Sequence, residues 1–291
     1  MNRHTFGALA AVALVALLTL AGRPAFADLI AYDGFNYAPG GDLAGNAGGS
    51  GFVGAWVPGG FNASISTNYD VAAGSLPFPG LLTGGNRVAT GSTDAIAGVS
   101  RALASPLGAN GSTTYFSMLL RPEGTLGAGV FNGFFGLTLE TATEPELYFG
   151  KPGGGATGQY VVEDRGGSGQ VTSGVDAVVG QSVLLVLRAQ FGAGPAANDV
   201  FTLYVNPTPG GPEPAGGALK NDSNIGPVTG LTIYSTGAFS IDELRVGTSF
   251  TDVTPVVPEP AALGGGAVLL AGLALSRRLG RMRGRDLARA A

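Results

Sequence analysis

Thr114-Tyr115-Phe116-Ser117-Met118-Leu119-Leu120-Arg121 is the stretch that decides the fold. Phe116, Met118 and Leu120 fall on one side of it and Tyr115, Ser117, Leu119 and Arg121 on the other, the period of two expected of a strand with one face against a core. The first set should point inward. The pattern recurs downstream in Phe135, Leu137 and Leu139 and, after Thr141 to Pro145, in Leu147 and Phe149, which predicts a hairpin with a loop of about five residues. Val183 to Phe191 reads as a longer strand. Val183, Leu185, Leu187, Ala189 and Phe191 make one row on it, and Leu184, Val186, Arg188 and Gln190 a mixed opposite row. Phe201 to Val205 should pair with it across a loop holding Gly192, Gly194 and Pro195. No helical period interrupts this reading, so residues 28–254 are expected to be an all-β antiparallel sandwich.

The chain has 51 glycines and 18 prolines in 291 residues, enough to raise disorder as an alternative. The regular alternation argues against it. Glycines concentrate in Gly40 to Gly60, Gly150 to Gly158 and Gly166 to Gly174, where turns between strands would use them. No repeat of fixed period and no charged linker divides the region, so one domain is expected.

The two ends read differently. Arg3 and His4, an apolar run from Phe6 to Leu20, and Ala25-Phe26-Ala27 predict a secretory leader over residues 1–27, cleaved after Ala27 with Ala25 as the other small residue of the site. Ala261 to Leu275 carries no charge over fifteen residues, about 22 Å of helix against a hydrocarbon core of about 30 Å. Six arginines against Asp286 follow it. They can snorkel to headgroups, which makes a single membrane helix with a cytoplasmic C-terminus the expectation.

Between residues 28 and 257, eight Lys and Arg face eighteen Asp and Glu, a net charge of −10. Such a surface repels phosphate backbones and makes nucleic acid an unsuitable partner, while calcium and neutral polysaccharide are tolerable. The chain has no cysteine, and its one histidine is His4. Once the leader is removed, a Ser-His-Asp triad, a cysteine nucleophile and an ordinary zinc site are excluded.

The box Val257-Pro258-Glu259-Pro260, followed by the apolar run and the arginine tail over residues 255–291, resembles the PEP-CTERM sorting signal of exopolysaccharide-producing Gram-negative bacteria. That resemblance implies a precursor held at the inner membrane, recognition by an exosortase, removal of the tail near the box, and a final place at the cell surface or in the extracellular matrix. Ile30-Ala31-Tyr32-Asp33-Gly34-Phe35, Gly51-Phe52-Val53-Gly54-Ala55-Trp56, Leu203-Tyr204-Val205-Asn206-Pro207 and Phe239 to Val246 resemble phrases of concanavalin A-like, laminin-G-like jelly rolls. That resemblance implies two antiparallel sheets, with the last strand returning beside the first.

Candidate chemistry is sparse. Glycoside hydrolysis needs only two carboxylates, but Glu140, Glu144 and Glu146 have the wrong spacing for the glucanase motif of this fold and span a turn. Asp242 and Glu243 are adjacent, so on a regular strand they point to opposite faces. Phe239 and Ile241 share one parity and Leu244 and Val246 the other. A one-residue bulge near Asp242-Glu243 would return all four to one face, and a strand covered on both sides is the alternative. Asp222 and Asn224, alternate oxygen donors before Gly226, could begin a calcium loop or form a polar turn. A sugar platform could use Trp56, Tyr32, Tyr69, Tyr115 or Tyr148, with Tyr115 and Arg121 together on a non-core face as the preferred pair. The expected role is a non-catalytic surface or matrix protein that binds glycan or adheres. A divergent carbohydrate-active enzyme and a purely structural surface protein are the alternatives.

Overall fold

The computed structural model describes residues 29–59, 69–90, 97–124, 126, 133–143, 145–153, 157–166 and 168–257. The leader with Ala25 and Ala27, the residues Pro258, Glu259 and Pro260, the apolar run behind them, and Glu144 lie outside the described residues. Among the described residues no helix is long and apolar enough to cross a membrane.

Among the described residues fifteen strands follow one another: β1 (Leu29–Asp33), β2 (Phe52–Pro58), β3 (Tyr69–Ala72), β4 (Arg87–Thr90), β5 (Ala97–Leu107), β6 (Thr113–Pro122), β7 (Phe135–Thr141), β8 (Leu147–Lys151), β9 (Gln159–Asp164), β10 (Ser168–Asp176), β11 (Val183–Gln190), β12 (Val200–Val205), β13 (Ala218–Lys220), β14 (Val228–Ser235) and β15 (Phe239–Gly247). A four-residue helix, α1 (Phe250–Val253), closes them. One sheet runs β13-β12-β11-β6-β15-β4-β3 with β1 also on β15, and the other runs β10-β9-β8-β7-β14-β5-β2. All the pairings are antiparallel, as the alternation requires. The expected hairpin is β7 with β8, with Leu137 opposite Phe149. β11 pairs with β12, Leu187 opposite Leu203, and the closing strand lies beside the opening one.

The core lies between the sheets. Phe116, Met118 and Leu120 from β6, the odd row of β11, and Leu137, Leu139, Leu147 and Phe149 all enter it. Burying each of the Val, Leu, Phe and Met side chains among these stabilises the fold by about 1.5–3 kcal/mol. A second apolar cluster covers the outer face of the first sheet. Tyr115, Leu119, Leu184, Val186 and Tyr204 pack there under Leu76, Leu81, Phe250 and Val253. α1 is held in place by a capping box in which Ser249 and Asp252 satisfy each other's backbone N–H.

β15 carries the anticipated bulge. Against β6, Asp242 pairs with Leu119 and Arg245 with Ser117, so three steps on β15 meet two on its partner. Glu243 takes up the extra residue at a φ of 54°, and Phe239, Ile241, Leu244 and Val246 all return to the core. On the other side of β15, β4 pairs at Ser240 and Ile241, while β1 takes Leu244 to Gly247. The bulge therefore sits where one neighbour ends and the next begins.

Candidate functional site

Three of the phrases singled out in the sequence converge beside this bulge. β1 ends on Asp33, which is 1% exposed. Its Oδ2 accepts from the Tyr37 hydroxyl at 2.5 Å, from Trp56 Nε1 at 2.9 Å and from Arg101 Nη1 at 2.9 Å. Its Oδ1 accepts the Phe35 backbone N–H at 2.9 Å, which holds Phe35 at a φ of 49° and puts that ring against Trp56. Arg101 also donates to the carbonyls of Gly54 and Gly48, with its guanidinium 4.8 Å from the Phe52 ring centre. A buried carboxylate with a cation and three further donors is fully compensated, so this knot fixes the loop that follows β1.

The bulge supplies the second knot. The Glu243 carboxylate accepts from Gly84 N at 2.6 Å, from the Tyr32 hydroxyl at 3.1 Å and from Arg245. Arg245 donates also to the Leu82 carbonyl and lies over the Tyr32 ring at 5.1 Å. Asp242 Oδ2 takes Ser75 Oγ and the Leu76 N–H, and its Oδ1 takes the Glu243 N–H. The segment from Ser75 to Gly84 is thereby strapped across β15. Burial raises Asp242 to about 7, with the neighbouring Glu243 charge adding to this and the three donors opposing it. Burial likewise raises Glu243, against the pull of Arg245.

Between the knots lies a cavity of about 340 Å³, walled by Tyr32, Tyr37, Asn36, Gly48 and Gly84 with Asp33 at its base. Tyr32 and Tyr37 are half-buried and Asn36 is exposed. The glycines are needed for close approach: a Cβ on Gly34 would stand 2.3 Å from the Tyr32 oxygen, and one on Gly48 2.7 Å from the Tyr37 ring. Burial, joined by hydrogen bonds to carboxylates, pushes the Tyr32 phenol up to about 12 and raises Tyr37 as well. Both stay protonated, each donating a hydrogen bond to a carboxylate. The arrangement presents two phenols and an amide on a rigid floor, which suits recognition of a polyhydroxyl ligand.

The residues singled out in the sequence are spread over the fold. Trp56 is wholly buried against Phe35 and Phe52, because its indole N–H serves Asp33. Tyr69 and Tyr148 are also buried. Tyr115 is on the outer face of β6 as expected, but Phe250 covers it and its hydroxyl goes to Glu213 at 2.8 Å. Arg121 pairs with Glu123 at the far end of the strand. Tyr115 and Arg121 therefore form no common platform. Asp222 takes the ammonium of Lys220, and Asn224 Oδ1 turns back on the Gly226 N–H, the pattern of a polar turn. Among the described residues no three Asp or Glu gather as metal ligands. Glu140 accepts from Thr232, and Glu146 pairs with Arg165. Of the candidate rings only Tyr32 reaches the pocket. Tyr37, Asn36 and Gly84 were not singled out, since nothing local in the sequence brings residues 36 and 84 together.

No family model matches the chain, and no curated protein matches it. Solved structures show a partial likeness to it at low identity. A double mutant of the alginate lyase Aly36B in complex with alginate trisaccharide has 11% identity and a TM-score of 0.45, over 77% of this chain and 100% of that one. The globular domain of T. cruzi calreticulin has 9% identity and a TM-score of 0.43, over 68% and 86%. The exoplasmic/lumenal domain of VIP36 in its Ca2+/Man3GlcNAc-bound form has 12% identity and a TM-score of 0.37, over 70% and 93%. A likeness this distant carries no argument about chemistry.

Proposed function

We propose that the protein is a non-catalytic glycan-binding or adhesive module of the cell surface or exopolysaccharide matrix, and that the pocket beside the β15 bulge receives a sugar unit. The observation that supports this reading is the pair of half-buried phenols, Tyr32 and Tyr37, set on glycines beside an exposed Asn36. Aromatic faces with hydroxyl and amide groups are what a sugar's C–H faces and hydroxyls need, and a floor held by buried ion pairs lowers the ordering cost of binding. The carboxylates around it are occupied by donors, which favours binding over hydrolysis.

The chain's ends complete the proposal. Export through the leader, retention by the apolar run and arginine tail, and recognition of Val257 to Pro260 by an exosortase would place such a module outside the cell. A glycan array with the full chain, repeated with Asn36→Ala and Tyr32→Phe, tests the binding claim. Binding weakened in both variants is expected. Release of reducing sugar or unsaturated product from a bound polysaccharide would favour an enzyme instead, and an array with no binding would favour a structural role.

A further inference from the structure

We infer that the pocket takes a sugar unit bearing hydroxyls or an amine and rejects one bearing a carboxylate or sulfate, a selectivity that rests on the binding reading above. Among the described residues no lysine or arginine lines the cavity, and Asp33 stands at its base. The two cations behind it are buried. Arg101 is about as buried as Asp33 and is shared among that carboxylate, two carbonyls and the Tyr37 hydroxyl oxygen. Arg245, with its side chain 5% exposed, bonds Glu243 and the Leu82 carbonyl through Nη2 and lies over the Tyr32 ring, and its Nη1, which has no partner, is buried away from the surface.

The hydroxyls act in the same sense. The Tyr37 O–H donates a hydrogen bond to Asp33 and the Tyr32 O–H donates one to Glu243. Arg101 Nη1 also reaches the Tyr37 oxygen at 3.5 Å, so each phenol oxygen has at most lone pairs left for a ligand, which fits a donor such as a sugar hydroxyl or ammonium. Two pairs, Asp33 with Arg101 and Glu243 with Arg245, cancel in charge, and Asp242 behind them adds negative charge as it ionises. An anionic sugar would meet acceptors without an accessible cation to pair with, which costs far more than an imperfect neutral contact.

Calorimetric titration of the full chain at pH 6 tests this, using tetramers of one length: neutral gluco-, manno- and galacto-configured sugars, a glucosamine tetramer and tetragalacturonate. The expected result is saturable binding of a neutral or amino tetramer, with tetragalacturonate weaker by about tenfold or more. Asn36→Arg, at an exposed lining position, should narrow that gap by about fivefold or more by supplying the missing cation. Tetragalacturonate binding as tightly as the others would overturn the selectivity and leave the glycan reading standing. A folded Asn36→Arg chain with an unchanged gap would also overturn it, since the discrimination would then lie elsewhere. Binding of no tetramer at all would sink the glycan reading and the selectivity with it.

Discussion

The backbone N–H of Leu76 donates to Asp242 Oδ2 at 2.8 Å, across 166 positions of sequence. With the bond from Gly84 to Glu243, it straps one wall of the pocket to the bulge of the closing strand. The extra residue that re-aims Leu244 and Val246 into the core also turns two carboxylates to the strap. One irregularity in the ladder thus serves both packing and the site.

The strap should make stability fall as pH rises through the weakly acidic range. Asp242 has an ordinary value of 3.8 and stands at about 7 when folded. Between those values the folded chain holds a proton that the unfolded chain has lost, so the contribution is largest near the lower value, shrinks toward the upper one and is level beyond it. Urea midpoints at pH 5, 6 and 7.5 check this against Asp242→Asn, which keeps a carbonyl toward Leu76 and does not ionise. The parent chain should lose a few kcal/mol more than the variant over that range. Equal slopes for the two would contradict the assignment.

The Asp33 knot should be far more sensitive to loss of charge than to loss of one donor. Arg101→Met leaves a buried carboxylate without its cation and should cost about 3–5 kcal/mol. Trp56→Phe removes one donor and some packing and should cost about 1–3 kcal/mol. Denaturant unfolding of both variants measures the difference. Similar losses, or an Arg101→Met chain as stable as its parent, would show that Asp33 is not held as described.

Location should depend on the C-terminal segment. Deleting residues 258–291 removes the only long apolar run left after leader cleavage, so the shortened chain should move from the membrane fraction to the medium. Glu259→Ala leaves the run intact and should accumulate unprocessed, membrane-bound precursor. Fractionation and immunoblotting read both outcomes. Unchanged partition of the deletion, or normal processing of Glu259→Ala, would defeat the sorting proposal.

Much of the fold was legible because strand alternation is a local signal. Phe116, Met118 and Leu120 point where their parity says, and the broken parity of Phe239, Ile241, Leu244 and Val246 foretold the bulge. Tyr115 misled because what covers it is remote in sequence: Phe250 packs on its ring and Glu213 accepts its hydroxyl. The same reason hid most of the site. Tyr32 was visible as a candidate ring, but its role comes from Glu243, 211 positions away, and the pocket wall comes from a segment held there by β15. Side chains satisfied by distant partners leave no period in the local sequence.

The most direct measurement is a titration of the 15N-labelled full chain with the tightest neutral or amino tetramer, followed by amide shifts. Saturable shifts should concentrate at Gly34, Asn36, Gly48, Gly49, Gly84 and Gly85, around the cavity between the two carboxylate knots. Amides of Thr138, Tyr148 and Thr232, which pair across the other sheet, should stay in place. Shifts confined to that other sheet, with the cavity glycines unmoved, would contradict the central claim.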